Sequence, residues 1–182
     1  MHIGWSLLLI VLAGIALAWL MPDQQSPAVE ADRSEAVPRY IVRGAQWQRL
    51  DQQGAPIFDA QAETIRYFDD ESARLSDVWL YLLDNGERRW QMRAPAGFSA
   101  AGQQVLQLHG GVKGEGKWPD GEPLQFESER MRVDVAAKVL ETDDPVRLHS
   151  ASRQASGRGL RLDAKAERIA LQQNVEMRYV TP

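Results

Sequence analysis

From Tyr40 onward, apolar and polar residues alternate with a period of two. Trp90, Met92 and Ala94 alternate with Arg89, Gln91 and Arg93, and Leu124 and Phe126 with Gln125 and Glu127. Met131, Val133 and Val135 alternate with Arg130, Arg132 and Asp134, and Leu160 and Leu162 flank Arg161. Ile169 and Leu171, then Val175, Met177 and Tyr179, continue the pattern. Such runs give a strand one dry and one wet face, as antiparallel sheets require. Turn signals separate them. Asp84-Asn85-Gly86 is the strongest, because Asn-Gly tolerates the positive φ angles of a type I′ hairpin between residues 78–83 and 87–93. Gln52-Gln53-Gly54, Ala100-Ala101-Gly102, Pro119-Asp120-Gly121 and Asp143-Asp144-Pro145 mark further turns. Residues 136–140 and 164–170 carry local helical character, but the second lies between strand patterns and is assigned to a strand. Short strands at this spacing predict an all-β sandwich, barrel or jelly roll.

A faint repeat accompanies the strands. Ala62-Glu63-Thr64-Ile65 and Ala166-Glu167-Arg168-Ile169 share a frame, with looser copies at Ser128-Glu129-Arg130-Met131 and from Ala94 to Phe98. Spacing close to that of a hairpin favours stacked β units. Phase within each run sets an inward group. It comprises Ile65, Tyr67, Trp79, Tyr81, Trp90 and Met92 in the first half. In the second half it comprises Leu106, Leu108, Phe126, Val133, Leu148, Leu160 and Ile169. Two readings of this stripe stand: packed core, or the lining of an apolar groove where an elongated sandwich opens along one edge. Phase holds only while no bulge intervenes.

The N-terminus departs from the alternation. Residues 1–22 contain no charged side chain, and the apolar run spans about 28 Å as a helix, close to a hydrocarbon core of about 30 Å. Trp5 and Trp19 fall near its ends, where indoles favour the interface. This predicts an uncleaved transmembrane anchor over 1–22, a linker rich in Pro and mixed charge over 23–38, and one β domain over 39–182. A cleaved signal peptide ending near Ala16-Leu17-Ala18 is the alternative. The length of the run and the missing basic n-region favour the anchor. The short N-terminal tail leaves the domain to be translocated.

Charge and composition narrow the chemistry. The net charge of -4 argues against nucleic acid as the main ligand, and the absence of cysteine excludes disulfides, thiol nucleophiles and thiolate zinc sites. Gly111-Val112-Lys113-Gly114-Glu115-Gly116-Lys117 fits a phosphate-loop pattern, but Trp118 stands where Ser or Thr would ligate magnesium. A glycine-rich β turn is the simpler reading. His109 and His149 alternate out of phase with neighbouring Leu residues, and no histidine pair has metal spacing. Asp69-Asp70-Glu71 and Asp143-Asp144 fall at turn signals. No catalytic residue, metal site or cofactor is assigned.

The N-terminal anchor, Pro38-Arg39-Tyr40, the stretch from Arg49 to Pro56, and Ala60 through Phe68 with its paired aromatics follow one another along the chain. Trp90 to Val112 and Ala155-Ser156-Gly157-Arg158-Gly159-Leu160 complete the ordered set. Together these stretches resemble the LptC family of lipopolysaccharide export proteins. The missing Lys or Arg before the anchor departs from the family pattern. The resemblance implies a twisted, partly open (OstA-like) β-jelly roll that takes acyl chains. It also implies a non-enzymatic place between an inner-membrane ABC transporter (LptB, LptF and LptG) and the soluble periplasmic bridge protein LptA. Burying a dodecanoyl chain gains on the order of 9 kcal/mol, so a waypoint of this kind needs grooves rather than an active site. Chain order and the resemblance assign the edge near residues 40–49, with Tyr40 and Val42, to the transporter. The edge near residues 157–179, with Gly157 and Gly159, is assigned to the bridge protein. A membrane-anchored scaffold that binds protein edges without lipid is the alternative. A carbohydrate-active enzyme on the same fold would need facing carboxylates, which the alternation does not offer.

Overall fold

The computed structural model describes residues 37–84, 86–102 and 104–179. The expected anchor at 1–22 and most of the expected linker lie outside them. Among the described residues no helix is long and apolar enough to cross a membrane. Nine strands follow one another: β1 (Tyr40–Leu50), β2 (Pro56–Tyr67), β3 (Ala73–Asp84), β4 (Glu87–Ser99), β5 (Val105–Lys117), β6 (Pro123–Asp134), β7 (Val139–His149), β8 (Arg153–Asp163) and β9 (Arg168–Tyr179). Each pairs antiparallel with the next, in chain order, leaving β1 and β9 as the open edges of one sheet. The all-β expectation is met.

Such a meander becomes a roll only if it is bent, and the bend is visible in the ladder. Gly44, Glu63, Asp77 and Pro95 drop out of consecutive pairings in β1 to β4. The registers of β5 to β8 then break next to them, at Gly110-Gly111, Glu129-Arg130, Asp143-Asp144 and Gly157. These positions adjoin across the sheet and form one crease. Bulges bend strands and increase twist, which lets a sheet fold over its own inner face. Gly110 and Gly111 both carry positive φ (87° and 93°), a conformation that disfavours other residues. Lys138, in the β6–β7 turn, donates from Nζ to the Leu83 carbonyl at 2.8 Å. In a flat meander the β6–β7 turn and the last residues of β3 would lie at opposite ends, so the halves must cross. A single core, with Leu80, Met92, Phe126, Val133, Leu140 and Leu160 fully buried, fills the space between them.

The crease explains the repeat and corrects two turn assignments. Ala62, Ala94 and Ser128 are each buried immediately before it, so three copies of the repeat mark where alternate strands bend. The Ala166 copy instead sits in the β8–β9 turn, and residues 164–167 are turn rather than strand. Asp143-Asp144-Pro145 is not a turn but the crease of β7. Proline and aspartate fit there because the ladder is already interrupted. The glycines at 114 and 116 lie within β5, not in a turn.

Candidate functional site

The inner face is filled over most of its area and open beside β1. An apolar groove of about 630 Å³ runs along that strand, lined by Val42, Ala45 and Trp47 on β1 and by Phe58, Ile65 and Tyr67 on β2. Leu75 of β3 continues this wall, and Leu106 and Val135 line the groove from the other half of the roll. Its size is that of small-molecule sites. Period two predicts this wall only piecewise. Val42 faces inward before Gly44 and Trp47 after it, because the crease shifts the phase by one. Trp47 packs near Phe58, with ring centroids 6.3 Å apart, and Tyr40 stacks on Tyr67 at 4.6 Å.

The structure sorts the predicted inward residues into three groups. Ile65, Tyr67 and Leu106 line the groove. Trp90, Met92, Leu108, Phe126, Val133, Leu148 and Leu160 are buried in the filled core, and Ile169 packs half-buried against it. Trp79 and Tyr81 are corrected: they lie on the outer face, beneath the guanidinium groups of Arg93 and Arg88. Val78, Leu80 and Leu82 take the inner positions, at 0–1% exposure. Ala73 and Leu75 face inward, so unbroken alternation would carry the inward phase to Trp79 and Tyr81. Asp77, at φ 46°, interrupts it and exchanges the faces. Groove residues outside the predicted group include Ala45, Trp47, Phe58, Leu75 and Val135. Trp47 carried a signal, standing between Gln46 and Gln48 on the strand assigned to docking.

The edges carry the other exposed apolar surface. Tyr40, Ile41 and Val42 on β1, and Val175, Met177 and Tyr179 on β9, are exposed beside unpaired backbone. Tyr40 and Val42 therefore do lie on an edge strand. Gly157 and Gly159 do not. They belong to β8, which is paired on both sides. A Cβ on Gly157 would lie 3.1 Å from the Gln173 carbonyl, and one on Gly159 2.7 Å from Gln172 Oε1. These glycines let β9 pass closely at the crease, so they shape the edge without forming it.

Titratable groups serve the frame. Arg153 of β8 pairs with Asp120 and Glu122, tying the β5–β6 and β7–β8 turns together. The Ser152 hydroxyl and amide, with Arg153, hold the Glu122 carboxyl down to about 2. At the crease, Arg130 donates to both Asp144 oxygens at 2.7 Å. Among the described residues no cluster of metal-ligating side chains occurs.

The profile of the family described as lipopolysaccharide-assembly, LptC-related, matches residues 6–180. No curated protein matches the chain. Among solved structures, it is similar to that of LptH, the LptA-homologous periplasmic component of the lipopolysaccharide transport device of Pseudomonas aeruginosa. The TM-score is 0.52 at 13% identity, covering 69% of this chain and 95% of that one. At that identity the likeness is one of fold.

Proposed function

The chain belongs to the LptC-related family of lipopolysaccharide-assembly proteins, and on that premise we propose that its groove holds lipopolysaccharide acyl chains in transit. The chain is a periplasmic component of lipopolysaccharide transport, in a family of transport proteins rather than enzymes. Residues 1–22 anchor it in the inner membrane. The β1 edge receives lipid from the ABC transporter LptB/LptF/LptG, and the β9 edge passes it to the bridge protein LptA. One observation carries this reading: the apolar groove opens along β1, an edge strand, so a partner adding a strand there would extend the groove wall. Each buried methylene gains about 0.8 kcal/mol, so similar neighbouring grooves exchange chains at little net cost.

Photo-crosslinking in cells tests the groove. Benzoylphenylalanine at Trp47, Phe58 or Tyr67 is expected to capture lipopolysaccharide, and at Trp79 or Gln48, on the outer face, to capture none. Capture at Trp79 alone would reverse the faces. Capture at none, with both partners still co-purifying, would replace this reading with the lipid-free scaffold.

Gly159→Arg tests the polarity. Gly159 has a φ of 79° and is buried, so arginine there is strained by about 1–2 kcal/mol and displaces Gln172 on β9. Co-purification of the bridge protein should fall severalfold while the transporter stays bound. Loss of the transporter with retention of the bridge protein would invert the assignment of the edges.

A further inference from the structure

Among the described lysines and arginines, only Arg49, Lys138 and Arg153 are partly withdrawn from solvent. Two of them have anionic partners. Lys138 lies 3.6 Å from Asp84 and also donates to the Leu83 carbonyl, and Arg153 pairs with Asp120 and Glu122. Arg49 has no carboxylate within salt-bridge distance and no side-chain hydrogen bond among the described residues. It lines the apolar groove, one pleat beyond Trp47 on the same face of β1. Asp51, the nearest acid in sequence, is engaged elsewhere: its Oδ1 accepts the amides of Gln53 and Ala55 at 2.9 and 2.8 Å. Glu71, the acid of the groove lining, follows the far end of β2. A partly desolvated guanidinium beside an apolar wall is costly unless an anion meets it. Its planar fork suits the oxygens of a phosphate.

We propose that Arg49 is the headgroup residue of the groove, binding a sugar phosphate of a glycolipid whose acyl chains lie along Trp47 and Val42. This rests on the acyl-chain reading above and adds an orientation to it. The polar headgroup sits at the β1–β2 turn, and the chains point toward Tyr40 and Tyr67. It also makes phosphate a feature the protein selects.

The test is a binding titration of the full-length chain in non-ionic detergent, using phosphorylated lipid A and the same lipid stripped of phosphate. The wild-type protein is expected to prefer the phosphorylated form by about tenfold. Arg49→Gln should reduce that preference to about twofold or less and should not lower the melting temperature, since no internal partner is lost and an unpaired, partly desolvated charge is removed. Arg49→Lys should keep part of the preference. Excess inorganic phosphate should not compete, because the chains carry most of the affinity. Equal wild-type binding of both lipids, an undiminished preference in Arg49→Gln, or displacement by inorganic phosphate would overturn this inference alone. Binding of neither lipid would overturn the groove reading with it.

Discussion

Gly114→Ala is expected to cost about 3 kcal/mol and lower the melting temperature by about 10 °C, although it adds one methyl group. Gly114 of β5 stands directly across from Phe126 of β6 and Met92 of β4. The Phe126 ring lies over the glycine, and a Cβ there would fall inside the ring. The Trp90 ring covers Gly116 in the same way. The two aromatic rings contact each other, with centroids 6.2 Å apart and planes tilted by 52°. Phe126 and Met92 are fully buried, so neither has room to retreat. Thermal unfolding of Gly114→Ala, Phe126→Leu and the double variant checks the cause. The smaller leucine should relieve the clash, making the double variant at least about 1 kcal/mol more stable than the sum of the singles predicts. Additive losses would show that alanine harms β5 for some other reason. These glycines also answer the phosphate-loop pattern: their spacing of two places both on the inner face of one strand, under two rings.

How much of this was legible in the sequence depended on the crease. Period two is a local rule, and it reads Leu106 and Leu108, Leu124 and Phe126, or Leu160 and Leu162 correctly because each pair lies on one side of the bend. It fails at Trp79 and Tyr81 because Asp77 shifts the phase and because the run from Val78 to Leu83 is apolar on both faces. The aromatic residues there lie under arginines rather than in the core. The groove was harder to read than the core. Trp47 and Trp90 look alike in a pattern, each an indole between polar neighbours. Groove and core differ only in whether the opposite layer supplies a partner, which is a long-range fact. The edge strands were readable from chain order, since a meander leaves its first and last strands with no partner on one side. Gly157 and Gly159 lie one strand in from the edge, because close backbone approach is needed at a crease as well as at an edge.

The crease also predicts a pH signature. Between Ser128 and Arg132 the β6–β7 ladder is broken, and a polar network stands in its place. Arg130 grips Asp144 with two hydrogen bonds of 2.7 Å, Asp144 N donates to Thr142 Oγ1 at 3.1 Å, and Ser128 Oγ donates to the Pro145 carbonyl at 3.1 Å. The Asp144 side chain is only 12% exposed, whereas that of Arg130 is 69% exposed. The hydrogen bonds from Arg130 hold the Asp144 carboxyl below the usual carboxylate range, against the opposing effect of burial, and the charges of Arg130 and Arg158 add to the lowering. A carboxyl depressed in the folded state contributes stability above its unfolded value of about 3.9 and loses it as pH falls through the folded value. Arg130→Ala leaves that carboxylate buried without its main partner. The variant is less stable at neutral pH, by less than is usual for a buried pair because water reaches the arginine side. With the main lowering influence gone, burial favours the protonated form, so the variant recovers relative to wild type as the acid titrates. Melting temperatures of wild type and Arg130→Ala should therefore differ most near neutrality and converge on acidification below about pH 4. Asp144→Asn, which removes the charge but keeps the shape, should cost less than Arg130→Ala at neutral pH. Hydrogen exchange in Arg130→Ala should quicken at amides beside the crease in β6 and β7, while the pairing of Phe126 with Leu148 stays protected. A stability gap that does not change with pH would mean that Arg130 acts through packing of its stem, and that the crease is held by its apolar neighbours alone.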